Sequence, residues 1–553
     1  MKAVDLYTQW LKVVSYDDLK TELLAIKGNN SEIEARFSKE LEFGTAGLRG
    51  ILGVGSNYIN VYTIRRTTRA LASYMLNHGL KKVVISYDSR KFSYDFAHDT
   101  AEVLAFYKIK TFFCTELQPT PVLSYLVRQL QTDIGIMITA SHNPANYNGY
   151  KVYDNTGGQI SLETAQEISD IASGLPYFSI SRTPFHDAFE NGLIENVPEE
   201  LYQKFLRNAE KVRTNNINLA ILSVIYTPLN GTGYKMDPFI LRKNNIHVSV
   251  VEPQSYPDYT FKTCPFPNPE LISALQLGID KMKETDADLL LATDPDCDRV
   301  GLVVMHKGKA INVNGNEIGI LLTDYLLQNK KLPNNPVFMK SIVSTPLVEK
   351  ICEANKVKIY NLLTGFKYVG ATLNILEKEK RENDFVLAFE ESNGYLALPY
   401  IRDKDGVASS LLITEMAGWY KQNGKSLIDR LEEIYAEYGY YESITLNYDF
   451  PGINGVVKMN QIMNLLRNHQ PLAINYVNVY KYIDYSLGVN GLDKSNVLEY
   501  NLDNEEKFII RPSGTESKIK VYLTLVGDKK HFGAKQKKYV QWLNDIFYKE
   551  VLL

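Results

Sequence analysis

Ile134-Gly135-Ile136-Met137-Ile138-Thr139-Ala140-Ser141-His142-Asn143-Pro144 is the stretch whose reading decides the fold. Its first five residues form an apolar run of strand length, rich in isoleucine, and read as a buried strand. The strand ends on a hydroxyl, an imidazole and a turn-forming Asn-Pro. The chain then continues into Asn146-Tyr147-Asn148-Gly149-Tyr150-Lys151. In open α/β sheets ligands gather at the carboxyl ends of strands. A hydroxyl placed there makes Ser141 a candidate phosphoryl carrier, with His142 and Lys151 at hand to activate it. Taken alone, the stretch reads equally as a turn capped by Ser141, with His142 hydrogen-bonded inside it. The hydrolase elbow Gly-x-Ser-x-Gly does not surround Ser141, which speaks against acyl transfer.

Working outward, short apolar strands alternate with helical segments, the mark of doubly wound α/β units. Runs at 82–87 and 111–114 precede the Ser141 strand; runs at 219–222 and 247–251 precede 288–293; runs at 336–339 and 357–360 precede 385–389. Each set ends in a polar loop of unusual composition. Residues 1–40 read as amphipathic helix, with Trp10, Leu11, Val14, Leu19, Leu23 and Leu24 as the apolar positions. From about Glu442 the segments shorten, and the end reads strand, loop, strand and a closing helix around Tyr539 to Leu552. The expectation is an α/β protein: three similar doubly wound α/β domains plus a smaller C-terminal α+β domain, around a central cleft. The expected divisions are 1–205 (with a helical extension over 1–40), 206–313, 314–440 and 441–553.

The bulk composition narrows the function. The length of 553 residues suits three to four domains. Hydrophobic content of 45% with 23% charged residues is ordinary for a globular chain, and a net charge of -3 offers no basic face for nucleic acid. Four scattered cysteines (114, 264, 297 and 352) suggest neither a zinc site nor a disulfide framework. The N-terminus lacks a signal-peptide core and no apolar run approaches the ~20 residues that span a bilayer, so a cytoplasmic enzyme without a membrane partner is expected.

Four further loops carry chemistry. Phe43-Gly44-Thr45-Ala46-Gly47-Leu48-Arg49-Gly50 favours a tight loop from which Arg49 projects; alone it is also a plain turn. Asp294-Pro295-Asp296-Cys297-Asp298-Arg299 places three carboxylates at alternate positions, able to converge on one hard cation. Magnesium fits best, since Arg299 and Met305 fall where an EF-hand needs glycine and glutamate, and the Cys297 thiol is too soft a ligand. Arg299 then stands beside the metal, facing an anion. Glu390-Glu391-Ser392-Asn393-Gly394-Tyr395, with Thr364-Gly365-Phe366-Lys367 upstream and Arg402 and Lys404 downstream, offers donors and acceptors suited to sugar hydroxyls. Arg511-Pro512-Ser513-Gly514-Thr515-Glu516-Ser517-Lys518 is a phosphate cradle: a guanidinium fork, hydroxyls, and a glycine that lets backbone N–H groups form an anion nest.

These loops, in this order, resemble the α-D-phosphohexomutase superfamily, which includes phosphoglucomutases, phosphomannomutases and phosphoglucosamine mutases. The resemblance runs from Gly44 to about Lys520. Within the superfamily it is nearest to the branch of phosphoglucomutase-2-like and bacterial phosphoglucomutase/phosphomannomutase enzymes. It implies a heart-shaped, four-domain fold and exchange between hexose 1-phosphate and hexose 6-phosphate through a phosphoserine and a sugar 1,6-bisphosphate. Glucose and mannose phosphates are the implied substrates, with pentose phosphates an alternative; a metal-dependent sugar phosphatase is a remoter one. By this resemblance Ser141 is the phosphoserine, and Asp294, Asp296 and Asp298 hold one Mg2+ per subunit together with its phosphate. Arg49, Lys151 and Arg299 line the reaction site, with Lys151 a general acid/base. His142, Thr364, Gly365, Glu390, Ser392 and Lys404 bind substrate, and Arg511, Ser513, Gly514 and Thr515 form the distal phosphate site. A sugar bisphosphate serves as activator, and a monomer or weak homodimer is expected. In one departure, Tyr395 stands where dual-specificity members carry a histidine proposed as a proton carrier.

Overall fold

In the computed structural model, which describes residues 2–44, 47–451, 454–489, 491–513 and 518–549, the apolar runs become strands at the centres of four sheets. The first sheet holds β1 (Gly47–Ile51), β2 (Lys82–Tyr87), β3 (Lys110–Phe113), β4 (Ile134–Ile138), β5 (Tyr147–Asp154) and β6 (Ile194–Asn196), in the order β1-β5-β4-β2-β3-β6. Strands β4, β2, β3 and β6 run parallel, while β5 returns antiparallel to β4. Every residue of β4 is buried, as a strand covered on both faces requires.

The second sheet, β7 (Ser223–Thr227), β8 (His247–Val250), β9 (Leu289–Thr293), β10 (Val300–His306) and β11 (Lys309–Val313), has the order β11-β10-β9-β7-β8. The third, β12 (Val337–Ser341), β13 (Lys358–Leu362), β14 (Phe385–Glu390) and β15 (Gly394–Leu396), has the order β13-β12-β14-β15. In both, a parallel centre ends in an antiparallel return strand, β9 to β10 and β14 to β15. The Ser141, Asp294–Asp298 and Glu390–Ser392 loops therefore occupy one and the same topological position in three units. The fourth unit is antiparallel throughout: β16 (Tyr441–Asp449), β17 (Ala473–Ile474), β18 (Val477–Asp484), β19 (Leu498–Leu502), β20 (Lys507–Pro512) and β21 (Lys518–Val526), ordered β16-β21-β20-β19-β18-β17.

One apolar core runs through the first three units, taking in Leu123, Phe205, Tyr226, Phe338 and Leu411, whereas the fourth builds its own around Phe508, Val521 and Leu543. The helix Gly406–Gln422 is buried on nearly every face, as befits a core helix rather than a surface one. It starts against the metal loop: a Cβ added at Gly406 would lie 2.4 Å from the Cys297 carbonyl oxygen. At the amino end, helices Ala3–Val13, Asp17–Ala25 and Asn30–Phe37 pack Trp10 against Phe37, Tyr62 and Phe178. All four cysteines are free and buried.

Three local expectations are corrected. Residues 219–222 begin with a 3-10 turn, Leu219–Ile221, capped by Asn218, and the strand starts only at Ser223. The closing helix begins at Phe532, well before Tyr539. Leu24 faces solvent, 53% exposed, while neighbouring Leu23 takes the core position.

Candidate active site

The Ser141 turn is built from below. Ser141 sits in the left-handed region at φ 53 and is 3% exposed. A non-glycine residue is held there only when its surroundings over-determine it. Here Thr139 Oγ1 accepts the Ser141 N–H at 2.8 Å and donates to Asp88 Oδ2 at 2.6 Å. The buried guanidinium of Arg90 donates to the carbonyls of Ser141 (2.5 Å), Pro144 (2.7 Å), Tyr147 (3.1 Å) and Asn143. Gly149 lets β5 close on this turn, since a Cβ there would lie 2.5 Å from the Thr139 carbonyl oxygen. Arg49, on β1 opposite Gly149, reaches Asn143 Oδ1 with an N–H at 3.1 Å.

Ser141 Oγ donates to Asp294 Oδ2 at 2.8 Å and lies 3.3 Å from His142 Nδ1. Burial, then the charges of Arg299 and Arg49, hold His142 well below the usual histidine range. The imidazole is thus neutral and sits beside the Ser141 hydroxyl.

Asp294, Asp296 and Asp298 each direct a carboxylate oxygen to one point, all within 4.8 Å of one another, and all three are buried. Asp294 Oδ1 accepts the backbone N–H groups of Asp298 and Arg299, both at 3.1 Å. Asp296 Oδ1 and Asp298 Oδ1 are buried without a hydrogen-bond partner. Buried carboxylate oxygens left unpaired are costly, and three oxygen donors converging from one loop suit a hard divalent cation. Lys151 Nζ lies 2.8 Å from Asp296 Oδ2, and Lys404 Nζ lies 2.8 Å from Asp298 Oδ2. Burial raises Asp296, yet the Lys151 ammonium outweighs it and keeps this carboxyl ionised; burial, with repulsion from Asp296 and Asp298, pushes Asp294 well above the carboxylate range. Thr120, from the first unit, ties down Asp296 through its N–H (2.8 Å) and hydroxyl (2.9 Å). Cys297, at φ 54, turns its thiol away to donate to Asp237 Oδ2 at 3.3 Å.

Arg299 donates to Glu270 Oε1 at 2.8 Å and to the Ser392 carbonyl at 3.0 Å. It therefore bridges the metal loop to the loop of the third unit. There the Glu390 carboxylate accepts the Gly365 N–H at 2.8 Å, and the Thr364 hydroxyl is buried without a partner. Lys404 Nζ also lies 5.5 Å over the Phe366 ring. Arg402, which the sequence groups with Lys404 as a second cation of this loop, belongs elsewhere: it is 1% exposed and bonds Asn374, Glu377 and the Pro399 and Ile401 carbonyls. Tyr395 is likewise buried, its hydroxyl 3.5 Å from the Gly315 carbonyl oxygen.

Ser141, His142, Lys151, the three aspartates, Arg299, Lys404 and the Glu390–Ser392 loop thus line one continuous site, with Arg49 at its rim. Arg511 and Ser513 stand on the fourth unit, Arg511 beside the Tyr522 hydroxyl, which in turn neighbours Glu391 and Glu390. Gly514 and Thr515 lie outside the described residues, as do Thr45 and Ala46. Arg90, Thr120 and Glu270 carry no mark in the sequence that singles them out, whereas Asn393, expected with its loop to meet sugar hydroxyls, is buried and donates to the Val300 carbonyl at 3.1 Å. Arg90 lies three residues past the end of β2 and Thr120 opens the helix Thr120–Leu130, positions that by themselves name no partner.

Known proteins align with this arrangement. Residues 40–175, 200–308 and 314–438 match phosphoglucomutase/phosphomannomutase alpha/beta/alpha domains I, II and III. The chain is 37% identical over 514 residues to a Staphylococcus saprophyticus phosphoglucomutase, covering 89% of this chain and 92% of that one. In fold it is similar to a phosphoglucomutase/phosphomannomutase family protein from Burkholderia thailandensis, with TM-score 0.70 and 17% identity over 92% of this chain and 98% of the other. It is also similar to parafusin, a Paramecium phosphoglucomutase, in an open form, with TM-score 0.69 and 16% identity over 92% and 95% of the two chains. Among the described residues no helix is long and apolar enough to cross a membrane. The chain belongs to the phosphoglucomutase/phosphomannomutase family of the α-D-phosphohexomutase superfamily, and is an isomerase of the phosphomutase kind.

Proposed function

We propose that this phosphomutase interconverts hexose 1-phosphate and hexose 6-phosphate, of glucose or mannose, through phosphoserine at Ser141 and a sugar 1,6-bisphosphate. The observation that carries the reading is the buried Ser141 hydroxyl, 2.8 Å from Asp294, at the mouth of the aspartate triad. The name phosphoglucomutase on a relative 37% identical supports glucose as one substrate. Phosphoryl transfer asks for alignment and charge neutralisation more than covalent machinery, and those are what this site offers.

In the forward half-reaction the bond between phosphorus and Ser141 Oγ breaks, and a new one forms to the free hydroxyl of the sugar monophosphate. The proton of that hydroxyl ends on Ser141 Oγ, and Lys151 is the group we assign to carry it. Arg299 and Arg49 offset the negative charge of the transferring group, while neutral His142 fills the space beside Oγ. The sugar then turns over inside the cleft, and its other phosphate returns to Ser141. Glu390 and Ser392 hold the sugar hydroxyls in either orientation, and Lys404 stands beside them. Arg511 and Ser513, with the adjoining Gly514 and Thr515, hold the phosphate that is not reacting. Asp294, Asp296 and Asp298 would hold Mg2+, which supplies a Lewis acid at the phosphoryl oxygens. A sugar bisphosphate restores phosphoserine whenever it is lost, which makes it the activator.

The test is intact mass combined with a coupled assay. Protein incubated with glucose 1,6-bisphosphate should gain the mass of one phosphoryl group at Ser141, and Ser141→Ala should neither gain it nor turn over glucose 1-phosphate. Near wild-type interconversion by Ser141→Ala would sink the nucleophile assignment. Faster turnover of ribose 1-phosphate than of glucose or mannose 1-phosphate would replace the hexose by a pentose, and release of free phosphate would point to a phosphatase.

A further inference from the structure

The sugar loop has a back face as well as a front one. On that back face Asn393 is 3% exposed and left-handed, at φ 65. Its Nδ2 donates to the Val300 carbonyl at 3.1 Å, and its own carbonyl accepts the Val300 N–H at 3.0 Å. One residue earlier, the Ser392 carbonyl accepts the Arg299 guanidinium at 3.0 Å; one residue later, Gly394 pairs with Arg299 in an antiparallel bridge. Residues 392–394 of the third unit therefore run alongside residues 299–300 of the second as a short ribbon. From its other side the same segment of the second unit is held by Asp294, which accepts the Asp298 and Arg299 N–H groups.

We infer that Asn393 is a positioning residue that sets Arg299 and the neighbouring metal loop from the sugar loop, so that sugar recognition and phosphoryl-group neutralisation are mechanically one unit. The inference rests on the phosphomutase reading above. Two requirements meet at this position: a left-handed backbone and a side-chain donor of the right length. Asparagine satisfies both, because its side chain tolerates the left-handed region better than most and carries an N–H group. Glycine satisfies only the first. Aspartate keeps the shape but lacks the donor. Close packing leaves the ribbon little slack: a Cβ at Gly394 would lie 2.1 Å from Lys404 Cδ, and one at Gly315 would lie 2.1 Å from the Glu391 carbonyl oxygen. Lys404 in turn pairs with Asp298 at 2.8 Å. A displacement of residues 392–394 is thereby passed to Arg299 directly and to Asp298 through Lys404.

The experiment compares full-length Asn393→Gly and Asn393→Asp with the natural chain. Four quantities are read: melting temperature, kcat and KM for glucose 1-phosphate, and Mn2+ affinity by electron paramagnetic resonance without sugar. Loss of the buried donor is expected to lower kcat about tenfold in both variants, with KM within about twofold and Mn2+ binding weakened about threefold or more. An Asn393→Gly protein with natural kcat and Mn2+ affinity overturns the inference, since backbone conformation alone would then suffice. Unchanged Mn2+ affinity in both variants also overturns it, whatever the rate. If the natural chain binds Mn2+ but isomerises no hexose phosphate, the functional reading fails while the Mn2+ comparison still judges Asn393.

Discussion

The two ends of the site are made differently. At the Ser141 end the reacting groups are buried and nailed down by three units: Arg90 and Thr139 from the first, Asp294 and Arg299 from the second, Lys404 from the third. At the Arg511 end the groups are half-buried and stand on a unit with a core of its own. That unit meets the rest through a small apolar cluster, including Ile342, Val343, Leu363, Ile509 and Tyr522, through Tyr441, which is buried in the main core, and through exposed pairs such as Lys350 with Glu505 at 2.6 Å. On the function proposed above, the difference amounts to a division of labour. Bond-breaking needs sub-ångström alignment, and the shared core supplies it. Handling a phosphate that is to be released and regrasped would need give, and a unit whose core is largely its own has a seam at which to shift.

Substitutions can break or sharpen this contrast. The largest effect is expected at the rigid end: Asp296→Ala should lower kcat by about 10²–10³-fold with a modest change in KM, and chelation of divalent cations should lower the natural rate likewise. A change in KM alone would erase the contrast. Ile509→Ala, at the seam, should destabilise the fourth unit by about 2–4 kcal/mol. Amide exchange should then speed up in β19 to β21 and stay slow in β9; equal acceleration in both would show that the units unfold as one. Arg511→Ala should raise KM about 10–30-fold, the worth of a charge-assisted phosphate contact, while kcat falls less than in Asp296→Ala. The smallest effect concerns Glu391, between the two ends. Burial, then the charge of Glu390, push its carboxyl from 4.5 up to about 7. Between those values the unfolded chain has released the proton and the folded chain has kept it. Stability is therefore intact below the lower value and declines as pH rises through the window. Glu391→Gln should flatten that decline by about 1 kcal/mol, read as a smaller drop in melting temperature between about pH 5 and pH 7.

Much of the fold was legible because buried parallel strands announce themselves as unbroken apolar runs. Residues 82–87 are a strand end to end. The same signal misleads where an apolar run is buried by other means. Residues 219–222 pack against the helix at Gly418, whose added Cβ would meet Leu219 Cδ2 at 2.7 Å, and need no ladder to be buried. The three aspartates converge as alternate spacing on one loop predicts. Arg402 and Lys404 show what spacing cannot say: two cations separated by one residue, one pinned among carbonyls and Glu377, the other paired with Asp298. Residues that work through backbone carbonyls, such as Arg90, leave no local pattern, because their partners are main-chain atoms brought near only by folding.

The cysteines, each free and enclosed, carry a practical consequence. Burial pushes the thiols of Cys114, Cys264 and Cys352 up to about 12, and Cys297 is raised further by burial and by the Asp237 charge. Thiolate, the form that reacts, is therefore scarce at neutral pH. A maleimide dye should pass over all four and find only a cysteine introduced on the surface. Tyr476 on the fourth unit, fully exposed, and Tyr256 on the second, 69% exposed, are ready anchor points. A spectroscopic ruler strung between them would report whether the fourth unit moves during turnover, with every native thiol left in place.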